Sequence, residues 1–164
     1  MSTLSYLLLG SNLGDRPARL AQARDYLAAS AGDIVAASSI YETAAWGVED
    51  QPDFLNQVLA VATSLVPEDL LAACQAAEQQ QGRLRTLRWG ARSLDVDILL
   101  FGNEVLATPT LTVPHAALPF RRFTLIPLAE IAPELVHPQL NATITELLDA
   151  CPDPLPVRLY EQAN

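Results

Sequence analysis

Hydrophobic and polar positions follow clear periods along most of this 164-residue chain. The apolar run at 4–9, closed by Gly10, predicts a buried first strand, and Gly10-Ser11-Asn12-Leu13-Gly14 predicts a strand-to-helix turn. Leu20, Ala23, Leu27 and Ala31 then recur at helical spacing. Asp15 stands where an N-cap belongs and Gly32 where a C′ residue belongs. Residues 34–41, rich in β-branched and small side chains, predict a second strand. Residues 55–63 predict a third, hairpin-paired with the second across the long loop 42–53. Pro67, Glu68 and Asp69 open a second helix, with proline in the first turn and acids at the positive end. Leu70, Leu71, Cys74, Ala77 and Gln81 trace its inward side, and Gly82 ends it.

From Ser93 to Ile98 apolar and polar residues alternate, and an apolar run to Phe101 follows, which predicts a fourth strand. The order βαββαβ is the ferredoxin-like plan of the α+β class, an antiparallel-rich sheet with both helices on one face. Beyond it, Gly102-Asn103 turns the chain and Val105-Leu106 adds a short strand. Residues 110–122 read as irregular around Pro114-His115, and 123–126 are apolar again. Residues 127–131 read as a short helical turn ended by Pro133. Thr143-x-x-Glu146 is a capping box that opens a last helix through Leu148, and residues 157–160 suggest a final short strand. These later elements are expected on the other sheet face, making a three-layer αβα single domain over residues 1–164.

Half of the residues are hydrophobic and 18% are charged, the balance of a globular chain. The formal net charge of −9 argues against a nucleic-acid partner, whose binding depends on neutralising phosphates. Cys74 and Cys151 have neither metal nor redox spacing, and Cys74 reads as a small buried apolar residue, which fits a reducing, cytoplasmic setting. The start of the chain lacks a basic segment ahead of a long apolar run, so no signal peptide is expected. No window of about 18 apolar residues predicts a membrane span.

Two positions change the picture from fold to chemistry. Asp95 and Asp97 are two apart in the fourth predicted strand, so their side chains share a face, with Cα atoms about 7 Å apart. Adjacent carboxylates repel unless a cation lies between them, and hard oxygen ligands with room for water suit magnesium. Two solvated acids on an edge strand are the plain alternative. Just upstream stand Arg83, Arg85, Arg88 and Arg92, with Trp89 among them. All ten basic residues of the chain are arginines, so no Walker A lysine is available at the Gly10 turn. The arginine fork binds phosphate oxygens bidentately, and acids for magnesium beside arginines for phosphate suit a nucleoside triphosphate. A solvated basic loop beside acids is the other reading. Trp46 and Trp89 lie in the two loops flanking this region and are candidates for a lid.

Taken together, several motifs resemble the 6-hydroxymethyl-7,8-dihydropterin pyrophosphokinases of folate synthesis. They are Gly10-Ser11-Asn12, residues 50–56 and 78–83, and Arg88-Trp89-Gly90-x-Arg92-x-Leu94-Asp95-x-Asp97-Ile98. Val113-Pro114-His115, Arg121-x-Phe123 and Pro127-Leu128-x-Glu130-Ile131-x-Pro133 extend the match over nearly the whole chain. The resemblance implies transfer of the β,γ-pyrophosphoryl group of ATP to the pterin hydroxymethyl oxygen, with two magnesium ions on Asp95 and Asp97. It implies that Arg83 and Arg92 contact the transferred phosphates and that Arg85 guides ATP or assists release. His115 and Arg121 would face the triphosphate, and Ile98, Leu111 and Thr112 would line the adenine and ribose site. Phe54 and Phe123 would stack on the pterin, Thr43 and Asn56 would bond its edge, and Trp89 would close over the site. A monomer with no nucleic-acid or membrane partner is expected.

The chain departs from the family pattern at several positions. Ala44-Ala45 stands where prolines are common, and Trp46 replaces an aliphatic residue. The segment from Arg83 to Trp89 is one residue short, Thr110 replaces a basic residue, and Ala116 replaces an aromatic one. Two readings from other classes remain at this stage: a non-catalytic ferredoxin-like module sensing nucleotide or metal, and a two-metal phosphodiesterase.

Overall fold

A computed structural model describes residues 1–44, 53–81 and 94–161. Its centre is an antiparallel sheet. Strand β1 (Thr3–Ser11) lies between β4 (Phe54–Thr63) and β5 (Asp95–Phe101), and the far side of β4 is covered by β2 (Asp33–Ala37) and β3 (Tyr41–Thr43). A short β8 (Arg158–Leu159) pairs with β3, and β6 (Leu106–Ala107) and β7 (Thr112–Val113) form a separate ribbon.

The alternation of β1 divides the core into two layers. Leu7 and Leu9 face helices α1 (Arg16–Ser30) and α2 (Pro67–Gln80), where they meet Leu20, Leu27, Leu70 and Cys74. Tyr6 and Leu8 face α3 (Arg122–Ile131) and α4 (Ile144–Asp149), where they meet Leu125, Leu128 and Ile144. Each fully buried leucine contributes about 1.5–3 kcal/mol by leaving water, so both sheet faces are covered for a direct energetic reason. Leu94, Val96 and Ile98 belong to the first layer, as their alternation with Asp95 and Asp97 predicts.

Local signals placed several ends well. Asp15 Oδ1 accepts from the Ala18 N–H, and Gly32 follows the C-cap Ala31 with φ 151°. Thr143 and Glu146 form the expected capping box. Other expectations need correction. The single strand over 34–41 is two strands. At Ser38 the side-chain Oγ takes over as acceptor from the Val58 N–H, and the register with β4 already shifts between Ile34 and Ala36. Strand β1 runs through Ser11, so Gly10 is strand rather than turn. Residues 123–126 are helix: α3 carries Pro127 inside it instead of starting there. Its first turn is held by the Arg121 carbonyl, which accepts from Thr124 and Leu125, and by Asp153 Oδ2, which accepts from the Arg122 N–H. The region 110–122 holds β7 and a 3-10 turn at Leu118–Phe120. The short strands expected at 105–106 and 157–160 fall at β6 and β8. The expected helix end at Gly82 lies outside the described residues.

Candidate active site

Strand register gathers one set of side chains. Gly10 pairs with Asn56 on one side and Asp95 on the other, and Thr43 stands opposite Phe54. Directly paired residues share a face, as do residues two apart in a strand. Thr43, Phe54, Asn56, Gly10, Leu8, Asp95 and Asp97 therefore all project toward the α3 side. There they line a cavity of about 180 Å³, and Phe123 from the first turn of α3 closes it. Asn56 Nδ2 donates to Thr43 Oγ1 at 3.1 Å, and both side chains are buried. At Gly10 the backbone itself lines the cavity, close to the Asn56 side chain. A Cβ at this position would stand 3.2 Å from Asn56 Oδ1 and 4.0 Å from Phe54 Cδ1, intruding on the cavity floor. Two phenyl rings, an amide, a hydroxyl and two carboxylates thus line one cavity.

A second cavity, about 260 Å³, runs along the free edge of β5. Leu71, Val96, Ile98 and Leu111 give it apolar walls, and Asp97, Thr110, Thr112 and His115 add polar ones. The two cavities share Asp97. His115 Nδ1 accepts from the Ala117 N–H at 3.1 Å, so in the neutral ring the proton resides on Nε2, a donor. Arg121 is exposed, and its guanidinium lies 5.9 Å from the centroid of the Phe123 ring.

Asp95 and Asp97 are half-buried, and they supply the hard oxygen donors that magnesium takes. Among the described residues no cluster of three or more acidic, His or Cys groups is assembled for a metal. Behind this strand, Glu78 Oε2 accepts from the buried Val96 N–H at 3.0 Å, satisfying an edge group between the two aspartates. Burial, and then the Glu78 and Asp97 carboxylates, push the Cys74 thiol up to about 12. Cys74 is therefore a protonated core residue, as its place in the helix pattern predicts.

Of the residues expected at the site, Thr43, Phe54, Asn56, Asp95, Asp97 and Phe123 line the first cavity. Ile98, Leu111, Thr112 and His115 line the second, together with Asp97. Arg83, Arg85, Arg88, Trp89 and Arg92, and Trp46 of the other loop, lie outside the described residues. Sequence reasoning missed Leu8, Gly10, Leu71 and Val96 as lining residues. Only the two-residue alternation of β1, read against a known register, could have pointed to Leu8 and Gly10.

A profile of the family described as 7,8-dihydro-6-hydroxymethylpterin-pyrophosphokinase (HPPK) matches residues 6–133. The chain belongs to this family. The 2-amino-4-hydroxy-6-hydroxymethyldihydropteridine pyrophosphokinase of Pseudomonas aeruginosa is 47% identical over 148 residues, 90% of this chain and 91% of that one. The Aquifex aeolicus protein of the same name is 44% identical over 141 residues, 86% of this chain and 88% of that one. Among solved structures, a Plasmodium falciparum HPPK-DHPS with pteroate superimposes with a TM-score of 0.74 at 17% identity. It covers 92% of this chain, which spans 42% of that larger one, so this likeness concerns the fold. The HPPK profile encloses every residue that lines either cavity, from Leu8 to Phe123.

Proposed function

We propose that this chain is an ATP-dependent pyrophosphokinase. It transfers the β,γ-pyrophosphoryl group of ATP to the hydroxymethyl oxygen of 6-hydroxymethyl-7,8-dihydropterin, a step of folate biosynthesis. The new bond joins that oxygen to the β-phosphorus. The bond from the β-phosphorus to the bridging α,β-oxygen breaks, AMP leaves with that oxygen, and the hydroxyl proton is released. The observation that carries this reading is the meeting of the two cavities at Asp97. A cavity lined by two phenyl rings and a second with polar and apolar walls suit two different substrates that meet at one carboxylate.

In this reading Phe54 and Phe123 stack on the pterin faces, and Thr43 and Asn56 bond its edge. Ile98, Leu111 and Thr112 hold adenine and ribose, and His115 Nε2–H and Arg121 face the triphosphate. Asp95 and Asp97 hold two magnesium ions, which, when bound, neutralise phosphate charge and orient the reacting oxygens. The resemblance assigns Arg83 and Arg92 to the transferred phosphates, Arg85 to ATP entry and Trp89 to closure over the site. The strand order supports a ferredoxin-like core within one domain over residues 1–164. We assign it to a cytoplasmic monomer without nucleic-acid or membrane partners; no helix among the described residues is long and apolar enough to cross a membrane.

The test is AMP release from ATP and magnesium, with and without the pterin. Pterin-dependent AMP in equal amount to pterin pyrophosphate is expected. AMP formed without pterin would indicate a phosphodiesterase, and binding without turnover a sensing module; either result would overturn the reading.

A further inference from the structure

We infer that residues 151–160, beyond the segment matched by the family profile, act as a strap that sets the width of the aromatic-walled cavity and thereby its affinity for the pterin. Their contacts follow one pattern. Asp153 Oδ2 accepts from the Arg122 N–H at 3.1 Å, while its Oδ1 accepts from the Leu155 N–H at 3.0 Å. This supplies the cap that α3 lacks from its own N-cap residue, Arg121. Farther on, β8 pairs with β3, placing Leu159 opposite Tyr41 and Arg158 opposite Glu42. The Arg158 guanidinium bridges Glu42 Oε1 at 3.0 Å and Asp53 Oδ2. Tyr160 donates its N–H to the Ile40 carbonyl, and its ring lies 5.7 Å from the Arg16 guanidinium. Arg16 in turn donates to Glu42 Oε2 and to the Asp53 carbonyl, each at 2.7 Å.

Arg122 precedes Phe123, Glu42 precedes Thr43, and Asp53 precedes Phe54. The strap thus grips the chain neighbours of lining residues on both walls of the cavity: one on the α3 wall, at Phe123, and two on the β3–β4 wall, at Thr43 and Phe54. Asp95 and Asp97 lie on β5, with β1, β4 and β3 between that strand and β8. A flat ligand between two rings is sensitive to their spacing, because dispersion contact falls off within a fraction of an ångström. Releasing the strap leaves both rings in place but lets the competent spacing be populated only part of the time. Apparent affinity falls by that fraction.

This inference rests on the pyrophosphokinase reading, and the experiment separates the two. Asp153→Ala, Asp153→Asn, Arg158→Ala and the Asp153→Ala/Arg158→Ala pair are titrated with pterin and, separately, with a non-hydrolysable ATP analogue. All titrations are run at a temperature well below each variant's melting point. Asp153→Ala is expected to weaken pterin binding roughly three- to tenfold, and Asp153→Asn, which keeps an acceptor, restores most of it. Nucleotide affinity and kcat at saturation stay within about twofold of the parent, the KM-type loss of uniform binding. The double variant is no worse than about the product of the singles, and less than that product if the strap acts as a unit. Pterin affinity unchanged in Asp153→Ala, or pterin and nucleotide affinities falling by one common factor, would overturn the strap. A parent protein that binds no pterin would overturn the functional reading itself, and the strap with it.

Discussion

Asp97 is the residue on which the two cavities converge. Its side chain is half-buried on a strand surface, so replacing it opens no core cavity. Asp97→Ala should therefore keep the melting temperature within about 2 °C of the parent, as surface substitutions do. Turnover should fall on the order of 10³-fold, the scale of several kcal/mol of charge stabilisation at a phosphoryl centre. Steady-state kinetics beside a thermal melt checks this, and near-normal magnesium-dependent turnover would remove Asp97 from the reaction. The Asp-x-Asp pair was legible in the sequence because a two-residue period decides which side chains share a face. Its neighbours across the sheet were not. Gly10 reads locally as a turn residue, and only register with Asn56 and Asp95 makes it the cavity floor.

At the scale of elements, the turn from α1 into β2 depends on one glycine. Gly32 has φ 151°, and a Cβ there would lie 2.2 Å from the Ala62 carbonyl oxygen, which belongs to the backbone of β4. Gly32→Ala must move one strand against the other. It should cost about 1–3 kcal/mol or more and lower the melting temperature by roughly 2–4 °C per kcal/mol. At 25 °C its kinetic constants should match the parent, because the turn lies away from both cavities. A variant as stable as the parent would mean that the strands separate there at little cost. Helix ends carried by short-range chemistry, such as Asp15 and the Thr143–Glu146 box, were readable. Helix α3 was not, since its first turn leans on Asp153, 31 residues later in the chain. Glu130 near its other end accepts from Ser39 N–H and Oγ–H and from the Tyr41 hydroxyl, tying it to the strand that carries Thr43. Burial and the Glu130 hydrogen bond and charge push the Tyr41 phenol up to about 12. The same bonds from Tyr41 and Ser39 outweigh burial at Glu130 and hold its carboxyl below the usual range.

For the whole molecule these shifts become a dependence of stability on pH. His137 is buried, its Nδ1 accepts from the Gln139 and Leu140 N–H groups, and burial lowers its pKa from the ordinary 6.5. Between the two values the unfolded chain binds the extra proton, so stability falls as pH drops below 6.5 toward the folded value. Glu130 has a depressed pKa as well, so its contribution is full above the ordinary 4.5 and is lost progressively as pH falls from there through the lower folded value. Melting temperature should thus decline in two stages on acidification. His137→Asn keeps an acceptor near the Nδ1 position but cannot titrate, and should flatten the first stage only. An equal slope between pH 7 and 5.5 (about the window of an ordinary histidine) in parent and variant would remove His137 as the source.

What the sequence determined by itself was governed by short-range periodicity: the alternation of strand and helix segments from β1 to β5, two helix caps, and the pairing of Asp95 with Asp97 on one face. Motif resemblance added the identities of side chains that meet only in space, and ten of the expected site residues line the two cavities. Tertiary structure alone decided the break at Ser38, the proline carried within α3, the glycine floor and the grip of residues 151–160 on the cavity walls. Each of these depends on a partner distant in the chain: Val58 for Ser38, Asp153 for α3, Asn56 for Gly10, and Asp53 for Arg158. Local propensity cannot anticipate a hydrogen bond or a steric limit supplied by a segment that folding has yet to bring near.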